Sequence, residues 1–392
     1  MIRLAFVVPR YGREVLGGAE TLARRFAAHL PPDEFKVTVL TTCARDMQTW
    51  RNEYPPGETQ VSGLRVLRFP VDHRRRDART FQHLTDRINR GEPVSRDDQA
   101  AWLEHSAHSP DLYRHLFRHG DAHDLFIFLP YMFGTTLYGS AVWPGKSVIC
   151  PCLHDEPYAY FTDVRLMLAH ARGLMYISQP ERTLAEEKLG IRHPAAQLVG
   201  FGLDEFSTDS ERFRQKYGLG GPFILYAGRL GLMKNVLQLV SHFQAYRQAQ
   251  PERGLKLVLI GSGPLPLPNH PDVVPLGFLP EQDLHDAYAA ASVLCQPSLL
   301  ESFSLVIMES WLAGVPVLVH GHCDVTRYHV LRSNGGLYFT SAAEFAGALN
   351  WLLDQPQARQ QMGALGRAYV RREYNWPTVI SRFRQALQVW QT

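Results

Sequence analysis

Phe223-Ile224-Leu225-Tyr226-Ala227 is an unbroken apolar run, and it stops at Gly228-Arg229-Leu230-Gly231-Leu232-Met233-Lys234-Asn235. A run this short reads as a buried strand, and the glycine-led basic loop behind it reads as a turn into a helix. The pattern then repeats. Residues 255–260 form another run, a strand ends at Leu294-Cys295, and residues 315–319 form a fourth, each followed by a turn and a helix-like segment. Strands alternating with helices are the mark of a parallel α/β sheet.

The same alternation fills the first half. Residues 2–8 read as a strand, 12–18 as a loop, and 19–30 as a helix with Leu22, Phe26 and Leu30 at helical spacing. Residues 36–41, 125–129 and 147–152 read as further strands. Residues 94–119 read as one helical excursion, with Ser95 as a cap and Trp102, Leu103, Leu112, Leu116 and Phe117 as its apolar faces. The strip from Val199 to Asp204, glycine-rich and followed by polar residues to Ser210, reads as the linker. Two α/β halves on such a hinge predict a cleft between them, where ligands usually bind.

Composition narrows the function. A chain of 392 residues suits two domains, and 45% hydrophobic with 20% charged residues suits a globular protein. Forty-one basic against 38 acidic residues leave a net charge of only +3, too balanced for nucleic acid as the main partner. The local run Arg74-Arg75-Arg76, with Arg79, Arg87 and Arg90, reads as a solvated face, with contact to an anionic surface as the second reading. The five cysteines, Cys43, Cys150, Cys152, Cys295 and Cys323, are odd in number and lack zinc spacing, so buried free thiols are expected. The amino-terminal apolar run is too brief for a signal core, and no stretch approaches the ~20 apolar residues of a membrane span. The expected location is the cytoplasm, with room for peripheral contact at the inner face of a membrane.

Five segments carry candidate chemistry. In Glu301-Ser302-Phe303-Ser304-Leu305-Val306-Ile307-Met308-Glu309, a helix is expected to begin near residues 302–304, with its first N–H groups free for a phosphate. The two carboxylates would then stand about 12 Å apart, and carboxylates accept well from paired sugar hydroxyls. Arg229 and Lys234, five apart on a strand-to-helix loop, offer two charges to a diphosphate. Gly17-Gly18-Ala19-Glu20 lies between the first strand and helix, where glycine lets a phosphate or sugar approach. It is neither a G-x-G-x-x-G fingerprint nor a P-loop, since Gly18 stands where lysine is required. His154, in Pro151-Cys152-Leu153-His154-Asp155-Glu156, sits at a strand's carboxyl end. Gly261-Ser262-Gly263-Pro264 and Pro275-Leu276-Gly277-Phe278-Leu279 close two strands and read either as plain turns or as places where amides meet a nucleotide base.

In this order the segments resemble the family-4 (group 1) retaining glycosyltransferases of the GT-B fold. The Arg-x4-Lys and Glu-x7-Glu pair is the most specific part, and Ala313-Gly314-Val315-Pro316-Val317 also fits. The resemblance implies two Rossmann-like domains facing each other across a deep cleft: an acceptor-binding domain over 1–203, a nucleotide-sugar domain over 204–372, and a carboxyl-terminal helix over 373–392 packing back toward the first. It implies His154, Arg229, Lys234 and Glu301 as catalytic residues. It implies donor contacts at Gly17, Gly18, Gly261, Ser262, Gly277, Phe278, Ser302, Phe303, Ser304, Leu305 and Glu309, with Glu309 on the ribose. No metal and no cofactor are implied, in keeping with the lack of an Asp-x-Asp. The partners implied are a nucleotide-sugar donor and a glycan, lipid-linked or small-molecule acceptor. Two departures stand out: Ser304 and Asn235 occupy positions where the family commonly has glycine. A nucleotide-sugar epimerase, a sugar phosphorylase and a silent sugar-nucleotide binder are the alternatives, while a dinucleotide oxidoreductase lacks its glycine fingerprint.

Overall fold

The first apolar run becomes strand β1 (Ile2–Val8), whose last five residues are all buried. Around it lie β2 (Phe35–Thr42), β3 (Gly57–Val61), β4 (Leu64–Phe69), β5 (Leu125–Phe128), β6 (Ser147–Ile149), β7 (Gly173–Tyr176) and β8 (Ala196–Leu198). They form one sheet in the order β3-β4-β2-β1-β5-β6-β7-β8. Every pairing is parallel except β3 with β4. That hairpin turns on Ser62 (φ 50°) and Gly63 (φ 81°), the two positive φ values that suit a two-residue hairpin loop. The second half holds β9 (Phe223–Ala227), β10 (Lys256–Ile260), β11 (Val273–Gly277), β12 (Val293–Gln296), β13 (Val317–His320) and β14 (Gly336–Phe339), ordered β11-β10-β9-β12-β13-β14 and parallel throughout.

These coordinates form a computed structural model that describes every residue except Leu16, Arg75 and Thr392. Arg75, the middle of the arginine run, and Leu16, in the loop after β1, therefore lie outside the described residues, as does the last residue of the expected terminal helix. The chain divides into two units, Met1–Gly202 with Val379–Thr392, and Leu203–Thr378. The sequence placed these divisions at 203/204 and 372/373. They move because Leu203 N–H donates to the Tyr374 carbonyl at 2.7 Å and Leu203 bridges Asn375, which keeps the chain through Thr378 with the second unit.

In the first unit the last turns of the helix Trp376–Gln391, from Val379 onward, seat Trp390 against β7. The indole Nε1 donates to the Ala195 carbonyl at 2.9 Å, and Arg172 Nε donates to the Trp390 carbonyl at 2.6 Å. A Cβ on Gly173 would lie 2.3 Å from the indole, so only glycine lets the ring in. Burying an aromatic ring this fully is worth about 3–5 kcal/mol against alanine.

The excursion read as one helix over 94–119 is two, Arg96–Glu104 and Pro110–His119. Pro110 forces Ser109 out of the helical region (φ −142°), and Ser109 caps the new helix by accepting from Leu112 N–H. Ser95 caps the first through a reciprocal box with Asp98. Trp102, Leu103, Leu112 and Leu116 are buried as expected, but Phe117 is 71% exposed and supplies no core face. Cys43, Cys150, Cys295 and Cys323 are buried free thiols, and Cys152 is half-buried and also free.

Candidate functional site

In an open parallel sheet, ligands gather beyond the carboxyl ends of the strands where the strand order reverses. In the second unit that point lies between β9 and β12, whose following loops carry Gly228–Asn235 and Pro297–Ser304 in this chain. The sequence segments singled out above therefore meet there. Lys234 Nζ donates to Glu301 Oε1 at 2.7 Å, and Gln296 Nε2 donates to the same oxygen at 3.3 Å. Arg229 is exposed, while the Tyr226 hydroxyl pins its carbonyl at 2.8 Å. Asn235 takes up the left-handed backbone at φ 55° and ties the two loops by donating from Nδ2 to the Pro297 carbonyl at 3.2 Å.

The helix after Glu301 starts later than the sequence implied, at Leu305, and ends at Leu312. Ser304 is its N-cap in the left-handed region (φ 69°, ψ 78°), and its side chain caps nothing. The hydroxyl is buried without a hydrogen-bond partner among the described residues. Asn235 and Ser304, the two positions where the resemblance implied glycine, thus fall on positive φ, where glycine is strain-free and asparagine is tolerated better than serine.

Phe303 is a core residue, packed edge-on against His329 and Tyr374 with centroids 5.6 and 5.0 Å away. Ser302 and Leu305 are half-buried beside it. Glu309 is buried within the helix, and its Oε2 accepts from the Tyr288 hydroxyl at 3.0 Å.

The glycine turns resolve differently from one another. Gly261 (φ 131°) is demanded by packing, since a Cβ there would fall 1.9 Å from the Gly228 carbonyl oxygen. Leu230 N–H donates to the Ser262 carbonyl at 3.0 Å, which locks this turn to the basic loop. Gly277 (φ 70°) has open space around its Cβ position, and Phe278 beside it is 63% exposed.

In the first unit the strand order reverses between β1 and β5. Gly17 and Gly18 open the helix Gly18–His29 just past β1. Open space surrounds the Cβ position of Gly18, whereas a Cβ on Gly17 would strike Glu20 Oε2 at 2.1 Å. Glu20 is itself buried in an ion pair with Arg10 at 2.5 Å, so this loop is anchored by charge.

His154 follows β6 on the same edge. Its Nδ1 lies 3.5 Å from Glu156 Oε1, and that oxygen also accepts from the Tyr131 hydroxyl at 2.8 Å. Burial pushes the Glu156 carboxyl up, but the bonds to His154 and Tyr131 outweigh it and hold the group below the usual carboxylate range. Asp155 is engaged by Lys188 Nζ at 2.5 Å and by the Tyr160 hydroxyl at 2.7 Å.

Sequence reasoning missed the residue that shapes this loop. Glu181 is fully buried and accepts from the backbone N–H groups of Leu153 and Ile177, each at 2.8 Å. Burial pushes its carboxyl up to about 7. The spacing Ser178-x-x-Glu181 marks a helix start, yet the carboxylate reaches across to the His154 loop, which no local pattern reveals. Gln296 was likewise invisible, being one polar residue at the end of an apolar strand.

Among the described residues no group of three or more His, Cys, Asp or Glu side chains is arranged to hold a metal ion. Among them, too, no helix is long and apolar enough to cross a membrane.

Residues 208–369 match the family described as glycosyl transferases group 1. The chain is 25% identical over 227 residues to a D-inositol 3-phosphate glycosyltransferase of Jonesia denitrificans, covering 53% of this chain and 51% of that one. It is 28% identical over 238 residues to a GDP-mannose-dependent monoacylated alpha-(1-6)-phosphatidylinositol monomannoside mannosyltransferase of Corynebacterium glutamicum, covering 55% and 61%. These matches thus span little more than half of the curated relatives' lengths. Anabaena HepE in complex with UDP-glucose superposes with a TM-score of 0.71 at 16% identity, over 99% of this chain and all of that one. That likeness establishes the GT-B fold.

Proposed function

We propose, from the match of residues 208–369 to the group 1 glycosyl transferases, that the protein moves a hexose-type sugar from a nucleoside-diphosphate sugar to a hydroxyl acceptor, with retention of anomeric configuration. One observation carries the reading: Lys234 and Glu301, from separate loops at the reversal point of the second sheet, meet at 2.7 Å inside the matched segment.

The bond from the anomeric carbon to the diphosphate oxygen breaks, and the acceptor's hydroxyl oxygen bonds to that carbon on the same face. The hydroxyl proton passes to the departing phosphate oxygen. This route needs no dedicated base. It needs fixed positive charge and N–H groups where the leaving charge grows, which Arg229, Lys234 and the start of the helix Leu305–Leu312 supply. Glu301 takes the donor sugar's hydroxyls, Glu309 those of the ribose, and His154 stands by the transferred sugar. The glycan, lipid-linked or small-molecule acceptor falls to the first unit. HepE's complex with UDP-glucose and the GDP-mannose dependence of the corynebacterial relative support a nucleotide-sugar donor while differing on its base.

The test is a panel of UDP-, GDP- and ADP-sugars screened by thermal shift, then by release of nucleoside diphosphate with and without acceptor. A true donor stabilises the protein by mass action. Failure of every donor to bind or turn over rejects the reading, and an isomerised nucleotide-sugar without transfer favours the epimerase. Rates are expected to survive EDTA, because side-chain cations stand where a metal acts elsewhere. Loss with chelator and recovery with Mg²⁺ or Mn²⁺ would reject that part.

A further inference from the structure

In the first unit a cavity of about 390 Å³ opens between the Gly12-Arg13-Glu14 loop, the Tyr54 segment and the β3–β4 hairpin. That volume is in the range of small-molecule sites, about 300–1,000 Å³. Arg68, next to last in β4, lines it and is only 4% exposed. Its guanidinium carbon sits 4.0 Å from the centroid of the Tyr54 ring. Among the described residues Arg68 has no carboxylate in ion-pair contact, and its Nη1 is buried without a hydrogen-bond partner.

A desolvated charge without a partner is strongly unfavourable, and buried arginines normally have a carboxylate or phosphate against them. The carboxylates on this wall hold other hydrogen bonds, and Glu14 acts on Arg68 through its charge without a bond to it. Glu14 Oε1 accepts from the Tyr54 hydroxyl at 2.6 Å, and Glu58 accepts both prongs of the Arg65 fork at 2.9 and 2.8 Å. Burial lowers the Arg68 pKa, but a guanidinium stays charged in proteins. A second cation, Arg13, stands on the same wall with its Nε on Ser62 Oγ at 3.1 Å.

We propose that this cavity receives the acceptor, and that Arg68 holds an oxyanion, a phosphate or a carboxylate, which the acceptor carries. The proposal rests on the glycosyl-transfer reading above and adds the acceptor's charge to it. A planar guanidinium fork matches either oxyanion with two parallel hydrogen bonds. The Tyr54 ring lies against the guanidinium carbon and limits how far the fork can move before the ligand arrives.

The test is calorimetric titration of the full chain with glucose, glucose 6-phosphate, glucuronate and inorganic phosphate. It is run on the wild type, on Lys234→Ala and on Arg68→Met, with UDP titrated in parallel. Glucose 6-phosphate or glucuronate is expected to bind at least tenfold more tightly than glucose, in the wild type and in Lys234→Ala alike. A response to one of the two identifies phosphate or carboxylate as the group recognised. Arg68→Met is expected to lose the preference while melting at or above the wild-type temperature, since a purely structural arginine would lower it.

If Arg68→Met does not fold, Arg68→Lys, which keeps the charge without the fork, must show a preference at least threefold weaker than the wild type's, and for this variant only an undiminished preference overturns the proposal. UDP binding reports the donor reading separately and is expected to be unchanged in the Arg68 variants. No preference in the wild type, a preference that survives loss of the guanidinium, or one that disappears with Lys234 overturns the proposal.

Discussion

Lys234 Nζ donates to Glu301 Oε1 at 2.7 Å, joining the loop after β9 to the loop after β12. The Glu301 side chain is 10% exposed and the Lys234 side chain 31%, so the pair is shielded without being sealed. On the proposed function each residue also touches the donor, and the pair acts as a unit. Lys234→Ala and Glu301→Ala are each expected to cut turnover about a hundredfold or more, in line with the roughly 3 kcal/mol lost with one transition-state contact. The double variant should fall less than the product of the two losses, because either change alone already breaks the pair. Turnover at saturating donor, beside circular dichroism to show an intact fold, measures this. Near-wild-type turnover in both single variants would remove the pair from the site.

Ser304 gives a prediction of opposite sign. It holds φ 69° with a buried, unpartnered hydroxyl, and a left-handed backbone costs an ordinary residue about 1–2 kcal/mol. Ser304→Gly removes that strain and the orphan hydroxyl, at the cost of about 0.5–1 kcal/mol of unfolded-chain entropy. A net gain of about 1 kcal/mol is expected, or roughly 2–4 °C in Tm. Differential scanning calorimetry checks it, and a lower Tm would mean that the hydroxyl is bonded in the folded protein.

How much of this was legible beforehand depended on whether a residue's role is local. β1 and β9 announce themselves because short unbroken apolar runs end at turn residues. The β3–β4 hairpin does not: Glu58-Thr59-Gln60 is an exposed edge strand with no apolar face to read, and only Ser62-Gly63 hinted at the turn. Lys234 and Glu301 were readable as motif members, but their contact spans 67 positions and follows from sheet order. Arg68 was passed over for the same reason. Along the chain it is one more arginine on a strand, and only folding reveals that it is buried with no carboxylate bonded to it among the described residues.

Glu181 ties stability to pH. Its carboxyl is pushed from 4.5 to about 7, so the folded state keeps a proton that the unfolded chain gives up. Stability from this group is therefore highest below about pH 4.5, falls as pH rises towards 7, and is level above that. At about 1.4 kcal/mol per unit, the change is on the order of 3 kcal/mol. Glu181→Gln leaves one of the Leu153 and Ile177 N–H groups unsatisfied, so its stability is lower at the outset. The slope is the informative quantity. Urea unfolding between pH 4.5 and 8 is expected to show the wild type losing stability relative to Glu181→Gln up to about pH 7. A constant difference across that range would mean that Glu181 titrates normally.

The stereochemical outcome turns on the carboxylates beside His154. An inverting transfer needs a general base on the face opposite the leaving group, within hydrogen-bond reach of the acceptor's hydroxyl. Sequence position alone offers Asp155 and Glu156 for that task. Asp155 is tied to Lys188 at 2.5 Å and Tyr160 at 2.7 Å, and those bonds hold its carboxyl below the usual range despite the upward push of burial. Glu156 is buried against Tyr131 and His154, and its pKa is lowered too. Both are therefore weaker bases than free carboxylates, and each would have to surrender existing bonds to take a proton. Glu156 is better placed to hold His154: its side chain fixes the ring, and Glu181 fixes the backbone one residue earlier. Retention is the expected result, an α-linked product from an α-linked donor. Glu156→Gln should keep that stereochemistry while slowing transfer, because the amide grips the imidazole less firmly. Proton NMR of the first-formed product decides the matter. A β-linked product from an α-linked donor, lost together with activity in Asp155→Asn or Glu156→Gln, would make that carboxylate the base and replace same-face transfer with direct displacement.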